Sequence, residues 1–243
     1  IFLIAGVVPI LISLILYSLI YLVFHIKRDV FYLLSLSTIF GSLAFFGIPF
    51  VIFVLPETEK IATLMAAFVS AVAVFISIAM LEFYRVKCVF SECLPKVFKK
   101  LSKNPLIISL FIGLFFSILD IPIPSIIKRV LDMFGKTTAV ISMFMLGVFL
   151  QGKKYKNLKL ALLLSMLRMF FLPFIALVIS KLFYLSEVEI KVIVLMNAMP
   201  LAVSMIILSE RYKFYEGVIS SIILISSISS IIYLYFWLYI VGF

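Results

Sequence analysis

The sequence predicts an all-α polytopic membrane protein whose helices form an inverted repeat that includes two broken helices. Three observations predict this. Of 243 residues, 65% are hydrophobic and only 13% charged, at a mean hydropathy of +1.33. No soluble domain needs that much apolar surface, whereas several spans of about 20 residues do. The basic residues, which leave a formal charge of +10, sit in short loops between apolar spans. Finally, two of the spans carry helix-breaking residues within the apolar run.

Eight spans, A to H, follow in order. Helix A runs from about Ile1 to Phe24 and contains Pro9. It is too long for a signal peptide and lacks a cleavable flank. Helix B, Val30 to Leu55, contains Gly41, Ser42, Gly47 and Pro49; Pro49 lies near its outer end, so the mid-span break falls at Gly41 to Leu43. Helix C covers Ile61 to Phe83, and a basic linker, residues 84–104, follows it. Within that linker the run Lys96 to Lys103 is amphipathic and suits anionic lipid. Helices D (Pro105 to Leu119) and E (Thr137 to Leu150) are short, with an amphipathic stretch, Ile126 to Met133, expected to rest at the interface between them. Helix F, Leu160 to Ile179, holds Arg168 and Pro173. Helix G, Val192 to Ser209, reads VIVLMNAMPLAVSMIILS. Helix H, Val218 to Val241, carries serines from Ser220 to Ser230 that suit helix–helix packing.

Loop charge tests the count. The A–B, C–D, E–F and G–H connections hold fourteen Lys and Arg residues, against six on the other side. The positive-inside rule puts the richer side in the cytoplasm, so both ends of the chain lie outside a cell membrane. The same placement argues for a lipid bilayer as partner and against nucleic acid.

Helix G carries the strongest chemical signal. Pro200 has no N–H and clashes with the Met196 carbonyl. A bilayer leaves such a carbonyl unsatisfied unless protein or a wet cavity receives it. Helices A and F each have one internal proline and opposite orientations; B and G follow, both broken; C and H close each set. A–B–C and F–G–H therefore read as inverted copies, the plan of an inverted-repeat transporter. D and E precede the second copy. A five-helix repeat then implies that the first two of ten helices are missing from this chain.

Each break leaves a half-helix N-terminus in low dielectric, with free N–H groups and a positive dipole end. Two such ends favour an anion such as a carboxylate. Asn197 and Ser42 lead the candidate ligands, Ser204, Ser35, Ser37 and Thr38 are further polar groups able to complete the shell, and Gly41, Pro49 and Pro200 shape the site. For the serines and threonine, bonding back to helix carbonyls is the competing reading. Arg168 has two readings: it neutralises the anion, or it snorkels to the cytoplasmic headgroups. Glu82, Asp120 and His25 sit at span ends and are expected to face water. No carboxylate lies mid-span, so neither a sodium site nor a proton relay is identifiable, and an intramembrane enzyme lacks its nucleophile–base pair. Cys88 and Cys93 have no histidine near them for a zinc site and read as reduced thiols. No metal or cofactor is implied. A passive channel lined by the same broken helices, or a receptor-like or structural module, remains the alternative to a carrier.

The residues also resemble a family. Asn104-Pro105, Gly113, Asp120-Ile-Pro122-Ile-Pro124, Leu131, Gly135 and Met145-Leu-Gly147 are similar, in order and spacing, to the second half of the auxin efflux carrier family. Phe40-Gly41-Ser42 through Gly47-Ile-Pro49 resembles its F-G-N-x-G-F-x-G-x-P stretch, and Ala198-Met199-Pro200 its A-x-P. Two positions depart from the pattern: Ser42 stands for the usual Asn, and Leu201 for the frequent Thr. The resemblance implies a prokaryotic member that moves small organic anions by an elevator-like mechanism. It implies residues 1–83 and 151–243 as a mobile transport domain, 105–150 as scaffold, a crossover of the two broken helices B and G that forms the site, and a homodimer. The coupling ion, Na+ or H+, is left open.

Overall fold

The structure, a computed structural model, describes residues 1–86, 95, 98–99, 102–103 and 105–243. Cys88 and Cys93 lie outside the described residues. The chain is an all-α membrane protein, 82% helical and without a strand among the described residues. Among the described residues, four helical stretches are long and apolar enough to cross a bilayer: Phe2–Phe24, Pro56–Arg85, Leu158–Leu182 and Glu216–Ile240.

The first of these, α1 (Phe2–Phe24), accommodates Pro9, whose own carbonyl accepts from the Ser13 hydroxyl at 2.7 Å. It ends at His25, exposed and in the left-handed region. Span B then comes in two halves. Helix α2 (Arg28–Ile39) stops at Phe40, and a π-turn (Leu43–Gly47) leads into α3 (Ile48–Val54). The long α4 (Glu59–Val86) follows. Its Glu82 corrects the expectation of a water-facing carboxylate: the residue is 2% exposed and accepts the Tyr212 hydroxyl.

Helix α5 (Pro105–Ile118) precedes α6 (Ser125–Leu150). The stretch expected to lie apart at the interface is the first part of α6, continuous with span E. Gly135 alone does not stop a helix, and the i,i+4 pair Asp132–Lys136, 2.7 Å apart, bridges the join.

Span F is α7 (Leu158–Met166), a second π-turn (Leu167–Phe171) and α8 (Leu172–Leu182). Each π-turn ends just before a proline, Pro49 or Pro173. A wider turn makes room for the ring, and the carbonyl that a proline cannot serve needs another donor. For Pro173 that carbonyl is Met169's, and the indole Nε1–H of Trp237 donates to it at 2.8 Å. Span G is again two pieces, α9 (Glu187–Asn197), opened by a Ser186/Glu189 capping box, and α10 (Ser204–Tyr212). Helix α11 (Glu216–Ile240) closes the chain.

One apolar core draws its buried residues from residues 1–86 and 158–241; among the described residues, α6 adds to it only the partly buried Leu146 and Leu150. At its centre every residue from Val192 to Val203 is buried. The broken span G thus runs through the middle of the bundle, hydrophobic all round, as a core helix should be.

Candidate functional site

The two breaks meet. Phe40–Ser42 and Pro200–Ala202 lie antiparallel, with the Ser42 N–H donating to the Pro200 carbonyl and the Ala202 N–H to the Phe40 carbonyl, both at 2.9 Å. Non-helical backbone at membrane depth must find partners inside the protein. Here each break supplies the partners the other needs. The Leu201 N–H goes to the Ser226 hydroxyl at 3.3 Å.

Arg168 closes one side of this crossing. It projects from the π-turn of span F and is 1% exposed. Its Nε–H donates to the Met199 carbonyl at 2.8 Å and its Nη1 to the Thr38 carbonyl. Those carbonyls lie at the C-terminal ends of the first half of each broken span. Snorkelling to the headgroups is therefore overturned: the side chain reaches inward. Among the described residues no carboxylate pairs with it. Gly41 leaves room for it, since a Cβ there would stand 1.9 Å from Nη2.

A cavity of about 10 Å³ at the crossing is bounded by Ser42, Phe45, Phe46, Leu146, Pro200, Leu201, Val203 and Ser227, and Arg168 does not line it. It lies against the start of the π-turn and the approach to α10, where the second half-helices present their N-termini. Its room is about that of one water. Among the described residues neither the Ser42 nor the Ser227 hydroxyl has a hydrogen-bond partner. Much larger hollows lie elsewhere: about 660 Å³ among Lys153, Lys154, Lys156 and Lys213, and about 720 Å³ on the open face of α5 and α6. Neither touches the crossing. Size is not the guide here; the crossing is where irregular backbone and free polar groups coincide.

The sequence candidates distribute as follows. Gly41, Ser42 and Pro200 are at the crossing. Pro49 is not; it is the second residue of α3. Ser204 opens α10 and does not border the cavity. Asn197 is buried, and its amide donates to the Ile193 carbonyl at 3.0 Å and to the Gly6 carbonyl of α1 at 3.5 Å. Ser37 and Thr38 both donate back to the Leu34 carbonyl, and Tyr17 bonds Thr38 at 3.0 Å. The Ser35 hydroxyl is buried without a partner. On α11, Ser220, Ser221, Ser226 and Ser230 bond helix carbonyls, as packing serines do. Sequence reasoning missed Ser227 and Leu146. The serine stripe of span H was the available signal for the first; nothing in an apolar helix marked the second.

The family model described as membrane transport protein, that of the auxin efflux carrier-like transporters, matches residues 1–238. No curated protein matches the chain. Members of the family are transporters and not enzymes. With a match over nearly its whole length, this chain belongs to the membrane transport protein family, the auxin efflux carrier-like transporters.

Proposed function

We propose that the chain is a secondary transporter that moves a small organic anion across the cell membrane by alternating access. The site is the cavity side of the crossing. The observation that carries this reading is the pairing of two broken spans beside a cavity with two unpartnered hydroxyls, Ser42 and Ser227. The dipole of each second half-helix adds about +0.5 charge at its N-terminus, so two together match one carboxylate. In the 10 Å³ cavity an organic anion has no room. Leu146 of α6 forms one wall, so the crossing must move relative to α6 before an anion enters. That is the motion of an elevator, in which spans A–C and F–H travel as one inverted-repeat body past α5 and α6.

The test is counterflow in proteoliposomes with radiolabelled succinate, malate and indole-3-acetate as probes. Saturable counterflow of at least one is expected. Ser42→Ala and Ser227→Ala should each weaken it about five- to 150-fold, the loss of one hydrogen bond of about 1–3 kcal/mol in low dielectric. Ser229→Ala, whose hydroxyl bonds the Ile225 carbonyl away from the cavity, should leave it unchanged. Large unitary currents would replace the carrier with a channel. Wild-type counterflow in both cavity variants would move the site elsewhere.

A further inference from the structure

We propose that the Arg168 guanidinium is a tethered cation standing where a dissociable coupling ion would otherwise bind, so that the crossing forms without sodium. The inference rests on reading the crossing as the transport site. In transporters built on broken helices, unwound carbonyls and half-helix C-terminal ends coordinate Na+. This chain has such carbonyls, Thr38 and Met199, at the ends of the first halves of spans B and G. Arg168 already occupies them, with Nη1 on one and Nε on the other.

Charge and space agree with that assignment. Each half-helix C-terminus carries about −0.5 charge, and two sum to about one, the charge of one guanidinium. Among the described residues no carboxylate shares it. The helix ends are its counter-charge. Gly41 withholds the one Cβ that would expel Nη2. A free ion there would need an entry path and would leave with each cycle. A guanidinium fixed to the π-turn of span F does neither, and it moves with both broken spans as a unit.

The test uses the full chain in detergent. Wild type should melt at the same temperature in sodium and in N-methylglucamine at equal ionic strength, and should show no saturable binding of radioactive sodium. Arg168→Ala leaves two helix ends facing each other uncompensated. It should melt about 10 °C lower and recover most of that loss in millimolar guanidinium, but not in tetramethylammonium, which has no N–H to donate. Arg168→Ala melting with wild type, or folded but indifferent to guanidinium, would overturn the proposal. If that variant does not fold, the wild-type sodium measurement decides alone: saturable binding overturns the proposal and its absence supports it. None of these measurements contains the transported anion. A failed counterflow assay therefore refutes the transport reading, while a sodium signal refutes only the tethered cation.

Discussion

Gly41→Ala asks why a glycine stands at the crossing. The backbone does not require one, because Gly152 and Gly242 are the glycines with positive φ among the described residues. Space does. A Cβ would lie 1.9 Å from Nη2 and 3.0 Å from Cζ of Arg168. To reach ordinary contact the guanidinium must retreat by about 1.5 Å. The Nε bond to Met199 is 2.8 Å long, so such a retreat breaks it or the bond to Thr38. A hydrogen bond to a charged group contributes about 1.5–3 kcal/mol. Against that, Gly→Ala reduces the entropy of the unfolded chain by about 0.4–1 kcal/mol. The clash wins, by about 1–5 kcal/mol for one bond or both. At roughly 2–4 °C per kcal/mol for a chain of this size, the melting temperature should fall about 2–20 °C. The assay is thermal unfolding of the purified protein beside Gly113→Ala, a helical position with nothing within 4 Å, which should melt at or slightly above wild type. A double-mutant cycle with Arg168→Ala isolates the cause. The cost of Gly41→Ala should largely vanish once the guanidinium is gone. An equal cost in both backgrounds, or a variant as stable as wild type, would refute the reasoning.

Other perturbations have equally definite outcomes. Trp237→Phe keeps the ring but orphans the Met169 carbonyl that Pro173 cannot serve, so it should cost about 1–3 kcal/mol in thermal unfolding. Asn197→Ala should lower the melting temperature and leave the affinity for the best anion probe within about threefold, because its amide is spent on Ile193 and Gly6; a large affinity loss with unchanged stability would put it at the anion instead. The Tyr215 phenol, which donates to Asp29 at 3.0 Å, has its pKa raised by burial and then by that carboxylate. Its contribution is full below pH about 10, the ordinary value, and is lost as pH climbs through the raised one. The stability gap between wild type and Tyr215→Phe should close in an alkaline melt series. Cys88 and Cys93 should react with an impermeant thiol reagent only in inverted vesicles, and a cysteine at position 57 in a variant lacking both only in right-side-out ones, if loop charge sets orientation.

Much of the architecture was legible because membrane spans announce themselves by length, and breaks by Gly, Ser and Pro. The break of span B falls at Phe40–Ser42, beside the Gly41–Leu43 expected from residue type, and that of span G falls at Pro200. What stayed hidden is what periodicity cannot carry. Helices that are apolar all round show no preferred face, so nothing in span E pointed Leu146 toward the crossing. Arg168 looked equally able to snorkel or to turn inward, since its partners, Thr38 and Met199, are backbone carbonyls that leave no mark in a sequence. Glu82 was placed in water by its position at a span end. Its burial depends on Tyr212, 130 residues away. The stretch Ile126–Met133 was set apart from span E as an interfacial segment, whereas the i,i+4 spacing of Asp132 and Lys136 supports a continuing helix.

The pairing between Phe40–Ser42 and Pro200–Ala202 is made by main chain alone. Its two hydrogen bonds do not use the side chains at positions 42 and 201, and among substitutions at 42 proline alone, lacking an N–H, would remove one. The joint is thereby insulated from the residues that face the cavity. Ser42 and Leu201, the positions where this chain departs from the family pattern, are free to change without undoing the crossing that presents them. An architecture of this kind lets the side chains around the crossing change by single substitutions while the paired backbone stays in register.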